Sequence, residues 1–417
     1  MTIYTVIIII LLLLLNFYLY KRNYMNKQLF SIITIFLVIY ISFSMLIYFN
    51  NLTKGYEYGI LYGDILNSHF CDEYKYFVDS DILLNHLKSG EFINWVQGTL
   101  PTYEFIDISG HPSYGNYNIF VILLTILKAI GINSTLNLIL FKLVFYIPTA
   151  LMLYKLSKRF LSEKASMLSV ILFSAFPGYL LTNTLLMRDN IIVFLVIAIL
   201  YSLFNKKVNI KVLIPSLVLL LFFRSYLVLV FAAAVFITYK NTDKLISLKD
   251  ILFLVLSLVV IYIFTNFNFG LNHSNVFFSF YQIIALQENF ASFYGTGIFS
   301  IIKLLISTCI QIVFVPLYTN FITSGYIYLA IFSISNIFKI VFSLLFGARF
   351  LTLIFEKPKK EIIHLMKFTF YFTLFTSLIV MAKDGYIITR ITLIWMPLFI
   401  IITLLPCKFI KKDKIFK

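Results

Sequence analysis

Residues 3–22 read IYTVIIIILLLLLNFYLYKR, an uncharged run of eighteen residues that ends at Lys21 and Arg22. A run of about 20 apolar residues is long enough to cross the hydrocarbon core of a bilayer as an α-helix. The run has no basic segment before it and no small-residue cleavage site after it, so it predicts a retained first span and not a cleaved signal peptide. Apolar runs of similar length recur along the 417 residues. The sequence therefore predicts an all-α integral membrane protein, a polytopic helical bundle.

The composition excludes an ordinary soluble domain. Hydrophobic residues make up 61% of the chain and charged residues only 12%, against about 25% charged residues in a typical soluble domain. The net charge of +16 does not indicate a nucleic-acid partner, because Lys and Arg lie between the apolar runs, at the predicted helix ends. That distribution follows the positive-inside rule. The expected partners therefore include membrane lipids and no nucleic acid.

Cysteine and histidine spacing offers no metal site. Cys71, Cys309 and Cys407 are far apart and form no C-x-x-C or Cys/His spacing, so they predict neither a disulfide framework nor a structural zinc site. The histidines likewise show no His-x-x-His or Glu-x-x-His arrangement. We expect no cofactor and no obligatory metal, although acids on two separate predicted loops leave a divalent metal open.

Six clusters of Lys and Arg set the predicted topology. When all six lie on the cytoplasmic side, the chain crosses the membrane about eleven times, with its N-terminus outside and its C-terminus inside. We therefore expect a multi-pass protein of the cytoplasmic (inner or plasma) membrane. The predicted spans cover residues 3–20, 29–49, 136–156, 165–182, 189–205, 210–223, 225–239, 250–266, 326–355, 363–382 and 389–406.

Two apolar stretches, residues 118–132 and 298–318, do not fit this alternation. Counting either one as a crossing would place a basic cluster on the wrong side, and the first is short for a span. We expect both to be helices that lie along or dip into the outer leaflet. The chain then forms a single membrane domain over residues 1–417, with an extracytoplasmic loop at 50–135 and a second extracytoplasmic or re-entrant region at 267–325.

Acidic residues are concentrated in residues 50–117, which hold nine of the 18 Asp and Glu but only three of the 34 Lys and Arg. The adjacent pair Asp72 and Glu73 is the most useful candidate for chemistry in this region. An exposed carboxylate is a good general base for a hydroxyl or amine acceptor. Acidity alone favours a solvated acidic loop over a catalytic pair, so the pair needs a second signal.

The second signal is the order of the motifs that start at this pair. They are Asp72-Glu73-x-x-Tyr76, then Gly90-Glu91-Phe92 after an amphipathic stretch, His111-Pro112-Ser113-Tyr114, the amphipathic stretch 118–131, the basic end of a span in LMLYKLSKRFLSEKASM at 151–167, and Arg188-Asp189 within LLMRDNIIVFL at 185–195. This order resembles the first outer loop of family 39-type glycosyltransferases. That group belongs to the GT-C class and includes protein O-mannosyltransferases and lipid A aminoarabinose transferases.

The resemblance covers residues 45–205, about 40% of the chain. The chain departs from the family pattern at Ser113, which replaces a second proline, and in three extra residues between Tyr76 and Gly90. It also has an additional N-terminal span and lacks the large outer C-terminal domain of some relatives. These departures bear on which acceptor the protein uses more than on its resemblance to the GT-C class.

The resemblance implies a GT-C-type bundle with a large outer first loop that contains amphipathic helices. It implies that Asp72 is the catalytic base and Glu73 its neighbour, and it places Tyr76 and His111 among the substrate-binding residues. A structural role is the alternative for His111. The resemblance also implies that Asp189 lies near the donor sugar or a metal.

Arg188 would then lie near the donor's phosphate. The alternative for Arg188 and Asp189 is a local ion pair that anchors a helix at the interface.

Three further basic residues are candidates for the donor phosphate. Arg224 interrupts about thirty apolar residues and predicts an outer turn between two helices, and Lys383 and Arg390 lie in the last predicted outer turn. Each can either reach lipid headgroups as an interfacial anchor or bind a phosphate. Lys339 and Arg349 lie within a predicted span, where Arg349 can snorkel to the inner face but Lys339 cannot easily do so.

The sequence therefore predicts a GT-C-type membrane glycosyltransferase. It would move a sugar, with inversion, from a polyprenyl-phosphate-linked donor to a glycan, lipid or protein acceptor at the extracytoplasmic face. Two rivals stay open: an O-antigen or capsule repeat-unit polymerase, and a flippase or transporter of lipid-linked sugars. A transporter should show repeat symmetry and interrupted helices near the midplane, whereas the charges here concentrate at the predicted outer face.

Overall fold

The computed structural model of the protein describes residues 3–60, 72–101, 115–205, 207–240, 252, 255, 256, 258, 259, 289–295, 298–314, 330–356, 358–387 and 389–406. All regular secondary structure in these residues is helical, which confirms the predicted all-α class. The residues from His111 to Tyr114 and most of the span predicted at 250–266 lie outside the described residues.

The α-helices are numbered here in chain order. They are α1 (Ile3–Lys21), α2 (Lys27–Thr53), α3 (Asp72–Lys88), α4 (Phe92–Gln97), α5 (Ile119–Ala129), α6 (Thr135–Lys142), α7 (Tyr146–Ser157), α8 (Glu163–Ser174), α9 (Pro177–Thr184), α10 (Asp189–Leu203), α11 (Ile210–Lys240), α12 (Ile298–Val313), α13 (Ala330–Glu356), α14 (Lys360–Asp384), α15 (Thr389–Thr392) and α16 (Met396–Thr403). Side chains of Asn26, Asn118, Ser134 and Ser162 accept a backbone N–H of the helix that follows each of them. Asn and Ser are preferred at such N-caps because the first turn of a helix has N–H groups without intrahelical partners.

Among the described residues, six helical stretches are long and apolar enough to cross a membrane, and a seventh crossing results if the bent pair α8 and α9 counts as one span. Four of the six are α1, α2, α11 and α14. The other two are Thr135–Ser157, which contains α6 and α7, and Ile334–Leu353 of α13. The described residues thus form a multi-pass helical membrane protein. The predicted count of about eleven spans is not reached among the described residues and stays a prediction.

Three predicted spans correspond to helices that are short or broken. Residues 165–182 form α8 and α9, and Pro177 begins α9, where its missing N–H removes no helical hydrogen bond. Helix α10 has 15 residues and is therefore about 22 Å long, shorter than the hydrocarbon core of about 30 Å. Residues 389–406 are divided between α15 and α16.

Helix α11 contains one residue with non-helical dihedral angles, Arg224, at φ −157° and ψ 84°. This is the residue at which the sequence predicts a turn between two helices. The chain also changes from one compact unit to the other at this point. The first unit comprises Met1–Met152, Gly178–Phe223 and Asn275–Phe277, and the second comprises Leu153–Pro177, Arg224–Ser274 and Phe278–Lys417.

In the first unit, α1 packs against α2 and α6. Thr5 donates a hydrogen bond to Asn137 Oδ1 at 2.7 Å. The rings of Tyr40, Tyr146 and Tyr179 contact one another with centroids 4.9–6.4 Å apart. Buried polar atoms pair in this way because the hydrocarbon core supplies no water to satisfy them.

In the second unit, α13 packs against α16, and α12 packs against α14. The rings of Phe346 and Phe399 stack with centroids 4.2 Å apart. Arg349 pairs with Glu356 at 3.0 Å and donates to the carbonyl of Pro406 at 2.6 Å. The charge of Arg349 is therefore matched by a carboxylate on its own helix.

Candidate functional site

The Asp72-Glu73 pair forms the first turn of α3. Backbone N–H groups at a helix N-terminus have no intrahelical partner and favour anionic side chains. Asp72 is partly exposed, whereas Glu73 is only 1% exposed. Neighbouring side chains on a helix point about 100° apart, so one carboxylate faces outward while the other enters the protein.

Glu73 is bonded to the segment that leads into Arg188-Asp189. Its Oε1 accepts a hydrogen bond from the backbone N–H of Leu186, a residue 113 positions later in the chain. Leu186 lies between the end of α9 and the start of α10. The first and the last motifs of the sequence resemblance therefore meet in the first unit.

Lys142 holds the same segment from its carbonyl side. This side chain is buried, and its Nζ donates to the carbonyls of Thr182 and Met187 at 2.8 Å each and to that of Leu185. An ammonium has three donors, and here all three bind carbonyls at or just after the end of α9. The last carbonyls of a helix have no intrahelical partner and attract a cation.

Two carboxylates balance the buried Lys142 ammonium. The charges of Glu73 and Asp189 both act on it, and Asp189 is itself buried at the start of α10. Asn190 adds a hydrogen bond from Nδ2 to the carbonyl of Lys142 at 3.2 Å. We call Glu73, Lys142, Asp189 and Asn190 the Lys142 cluster. A buried charge is costly unless it is paired and hydrogen-bonded, and this cluster satisfies that condition.

The Lys142 cluster fixes the position of the predicted base, Asp72. Glu73 is fixed through Leu186, and Asp72 precedes it directly on the same helical turn, so the backbone of Asp72 is fixed as well. Arg188 is the residue that precedes α10 and is partly exposed. Asp72 and Arg188 are thus the partly exposed members of the two motifs, and Glu73 and Asp189 are the buried ones.

Helix α5 holds α3 in place. Lys128 Nζ donates to the carbonyl of Phe77 at 2.7 Å, lies 3.5 Å from the centroid of the Phe77 ring, and pairs with Asp81 at 2.9 Å. Burial lowers the pKa of Lys128 to about 8, although the hydrogen bond and the charge of Asp81 oppose that shift. Tyr76 is buried, and its ring packs edge-on against Phe120 with centroids 4.8 Å apart. Tyr76 therefore contributes to the packing of α3 on α5, and its expected role in substrate binding stays a prediction.

The second unit brings together three of the four basic residues predicted to bind the donor phosphate. The charges of Arg224 and Arg390 both act on the Lys383 ammonium, which also lies 3.5 Å from Asp384. Arg224 is buried, and Lys383 and Arg390 are partly exposed. We call Arg224, Lys383 and Arg390 the basic cluster.

Gln311 of α12 fixes the turn between Lys383 and Arg390. Its Oε1 accepts from the backbone N–H of Ile387 at 2.9 Å, and its Nε2 donates to the carbonyl of Gly385 at 3.5 Å. Gly385 adopts φ +72°, and a Cβ there would come within 2.8 Å of the Phe293 ring. The turn is therefore held by polar contacts to α12 and by an aromatic contact that requires glycine.

Sequence reasoning identified the acids but missed Lys142 and Gln311. The sequence did contain a signal for Lys142, because this lysine lies within the predicted span 136–156 and a charge inside the membrane needs a partner. Gln311 offered no comparable signal. His111 lies outside the described residues. Within the part of the chain that the structure describes, no three His, Cys, Asp or Glu side chains are grouped as a metal site would require.

Comparison of the chain with protein-family models, curated proteins and solved structures finds no match.

Proposed function

We propose that this protein is a GT-C-type membrane glycosyltransferase that moves a sugar from a polyprenyl-phosphate carrier to an acceptor on the extracytoplasmic side. One observation carries the proposal. Glu73, in the first motif of the sequence resemblance, accepts a hydrogen bond from the backbone N–H of Leu186, which lies in the last motif. A chance order of weak motifs would not be expected to join its two ends by a hydrogen bond.

Asp72 is the proposed general base. It is partly exposed, and the bond of Glu73 to Leu186 fixes the helical turn that carries it. A positioned base contributes most when its geometry is set before the acceptor arrives. Glu73 is buried, so its proposed role is to position Asp72 and not to contact the acceptor.

The proposed reaction is a single displacement. The acceptor oxygen forms a bond to the anomeric carbon while the bond from that carbon to the phosphate oxygen breaks. The acceptor proton passes to the Asp72 carboxylate, and the bonding electron pair leaves with the lipid phosphate. Attack from the face opposite the phosphate inverts the anomeric configuration. Arg188, which lies in the same unit as Asp72, would stabilise the charge on the departing phosphate.

The test is sugar transfer by the purified protein in lipid vesicles, measured with a panel of radiolabelled polyprenyl-phosphate sugars and candidate acceptors. We expect Asp72→Asn to lower turnover by about 10²–10⁴-fold, because the substitution keeps the size of the side chain and removes its basicity. Glu91→Gln is the matched control, since Glu91 also lies in the 50–117 window but pairs with His86. It should transfer at the wild-type rate.

Each rival function gives a different result in the same vesicles. A repeat-unit polymerase would transfer whole lipid-linked oligosaccharides and leave single sugars unused. A flippase would move labelled lipid between leaflets without forming a new glycosidic bond. Transfer by Asp72→Asn at the wild-type rate, with equal protein in the vesicles, would remove Asp72 from the chemistry.

A further inference from the structure

Helix α4 is a short helix whose large apolar side chains point away from the protein. Its six residues, FINWVQ, carry no charge, and all of them are at least partly exposed. Phe92, Ile93 and Val96 are each between 57% and 66% exposed. Successive residues of a helix are about 100° apart, so these three side chains lie on one side of α4. We call them the α4 face.

Water is a poor environment for the α4 face. Isolated helices shorter than about 12–15 residues are marginal in water even when they consist of good helix formers. Five of the six residues of α4 are Phe, Ile, Asn, Trp and Val, which rank below Leu and Ala in helix propensity. Most helical stability comes instead from packing an apolar face against apolar surroundings. The α4 face therefore requires an apolar environment that the described residues do not supply.

Trp95 attaches α4 to the start of α5. Its Nε1 donates to the carbonyl of Asn116 at 3.1 Å, and the Tyr117 hydroxyl donates to the carbonyl of Trp95 at 2.6 Å. The rings of Trp95 and Tyr117 are nearly parallel, at 14°, with centroids 6.2 Å apart. Trp and Tyr are enriched at the membrane–water interface, where the ring has apolar surroundings and its polar group has a hydrogen-bond partner. These contacts fix α4 against α5.

Helix α5 has polar side chains on its inner side and apolar side chains on its outer side. Thr125 and Lys128 are buried and donate to backbone carbonyls of α3. Ile126 and Ile130, at the end of the helix, are more than half exposed, and their spacing of four residues places them on one face. A helix at a water surface has the reverse arrangement. The exposed face of α5 therefore supports the lipid contact that the sequence predicts for this stretch.

The end of α5 meets a helix that is long enough to cross the membrane. Gly131 lies so close to Tyr4 that a Cβ at the glycine would come within 2.7 Å of the Tyr4 hydroxyl oxygen. Tyr4 belongs to the first turn of α1, which is one of the candidate membrane spans. Ile3 and Ile7 in the same part of α1 are also exposed. The exposed apolar residues of α5 therefore continue those of a span, and the same lipid can cover both.

We infer that α4 is a membrane anchor, with the α4 face immersed in the bilayer interface. Bilayer lipid is the occupant, because the apolar surface of α5 is continuous with that of a span and because α4 has no charge that would select an ionic partner. The sequence predicts such a contact for residues 118–132 only, and α4 precedes that stretch. Helix α3 packs on α5, so lipid contacts of α4 and α5 would hold Asp72 at a set height above the bilayer.

The depth of α4 is measurable because the chain has only two tryptophans. Trp395 is fully buried, so Trp395→Phe leaves Trp95 as the single tryptophan of the full-length protein. This variant is placed in phosphatidylcholine vesicles that contain lipids brominated at a shallow or at a deep position of the acyl chain. Iodide is the quencher on the water side. Each variant is first compared with the wild type by thermal unfolding.

Two reference proteins bracket the result. Both lack Trp95 and Trp395, as Phe variants, and each has one new tryptophan, from Leu11→Trp or from Lys88→Trp. Leu11 is an exposed residue near the middle of α1, and Lys88 is an exposed residue at the end of α3. The deep bromines should quench the Leu11→Trp reference most, and iodide should quench the Lys88→Trp reference most.

We expect the shallow bromines to quench Trp95 more than the deep ones, and iodide to quench it at least about threefold less than the Lys88→Trp reference, because a helix at the interface is immersed by only about 5–10 Å. Replacing Phe92, Ile93 and Val96 by Ser should abolish most of the quenching by lipid, since the apolar contacts are removed. Asn94→Ser with Gln97→Ser is the matched control, because both residues are exposed polar residues of the same helix. It should keep the wild-type depth.

Two outcomes would overturn the proposal. The first is quenching of Trp95 by iodide as strongly as the Lys88→Trp reference, without quenching by either brominated lipid. The second is shielding of Trp95 from both quenchers, which would assign the α4 face to a protein contact, such as one with a second copy of the chain. If the triple Ser variant does not fold, the depth of Trp95 decides alone. If Trp395→Phe does not fold, the signal of the wild type minus that of Trp95→Phe gives the same depth. No sugar donor is present, so the result is independent of the proposed glycosyltransferase activity.

Discussion

At the scale of single residues, Lys142 explains how two acids predicted from separate motifs come to share one position. Its ammonium donates to three backbone carbonyls, and the charges of Glu73 and Asp189 act on it as well. Glu73 also accepts the backbone N–H of Leu186. Lys142 therefore holds the segment before α10, and its two carboxylate partners belong to the first turns of α3 and α10.

The first prediction concerns the charge balance of the Lys142 cluster. Lys142→Met should destabilise the protein by about 3–5 kcal/mol, because it leaves buried carboxylates without their cation. Lys142→Met combined with Glu73→Gln should recover part of that loss, since one uncompensated charge is then removed. Thermal unfolding in detergent gives both values.

Lys158→Met is the control for this prediction. Lys158 is about half exposed and lies 3.9 Å from Glu163, so its loss should cost no more than about 1 kcal/mol. A double variant that is less stable than Lys142→Met alone would contradict the proposed charge balance.

At the scale of secondary-structure elements, helix ends do more of the positioning than helix middles. At the ends of α9 and α12, carbonyls without intrahelical partners accept hydrogen bonds from a lysine of another element, Lys142 or Lys339. At the start of α3 the Glu73 side chain accepts the backbone N–H of Leu186, in the loop before α10. The end of α14 is set differently, by Gly385 and the Phe293 ring.

The second prediction compares two glycines. Gly385→Ala should destabilise the protein by about 1–2 kcal/mol or more, because alanine is strained at positive φ and its Cβ would lie 2.8 Å from the Phe293 ring. Gly347→Ala should be neutral or stabilise by up to about 1 kcal/mol, because alanine is the better helix former and nothing lies within 4 Å of its Cβ.

The two glycine variants are compared by thermal unfolding in the same detergent. Equal stability of the two variants would show that the Phe293 contact does not constrain the turn.

At the scale of the whole molecule, the charge distribution sets the expected orientation. The acidic window lies between α2 and α6, and the dense clusters of Lys and Arg alternate with the apolar helices. An N-terminus outside and a C-terminus inside require an odd number of crossings. Among the described residues, six helices pass the length and hydropathy criteria, and the bent pair α8 and α9 adds a seventh if it counts as one span.

The third prediction is therefore a topology. A reporter active only outside the cytoplasm should work when fused at Ser113, and one active only inside should work when fused at the C-terminus, because all dense basic clusters then lie inside. Exchanging the two reporters at each position is the control. A silent external reporter at Ser113 with a bright internal one would place Asp72 in the cytoplasm and end the proposed mechanism.

The sequence by itself determined the membrane class, the helical content and the acids of the candidate site. Hydropathy and N-cap signals act within about 20 residues, so runs such as residues 3–20 can be read directly from the chain. The Asp72-Glu73 and Arg188-Asp189 motifs were also visible in this way. Local signals could not decide how many of the apolar runs form unbroken helices. Residues 165–182 are divided between α8 and α9, where Pro177 begins α9, and residues 389–406 are divided between α15 and α16.

Only the tertiary structure decided which charges share a site. Lys142 is a single lysine in an apolar run of the sequence. Its three carbonyl acceptors and two carboxylate partners lie 40 to 69 residues away along the chain. Arg224 and Lys383 are likewise brought together by packing alone. The physical reason is that a buried charge needs partners within a few ångströms, and the distance between two side chains in space is not encoded by their spacing along the chain.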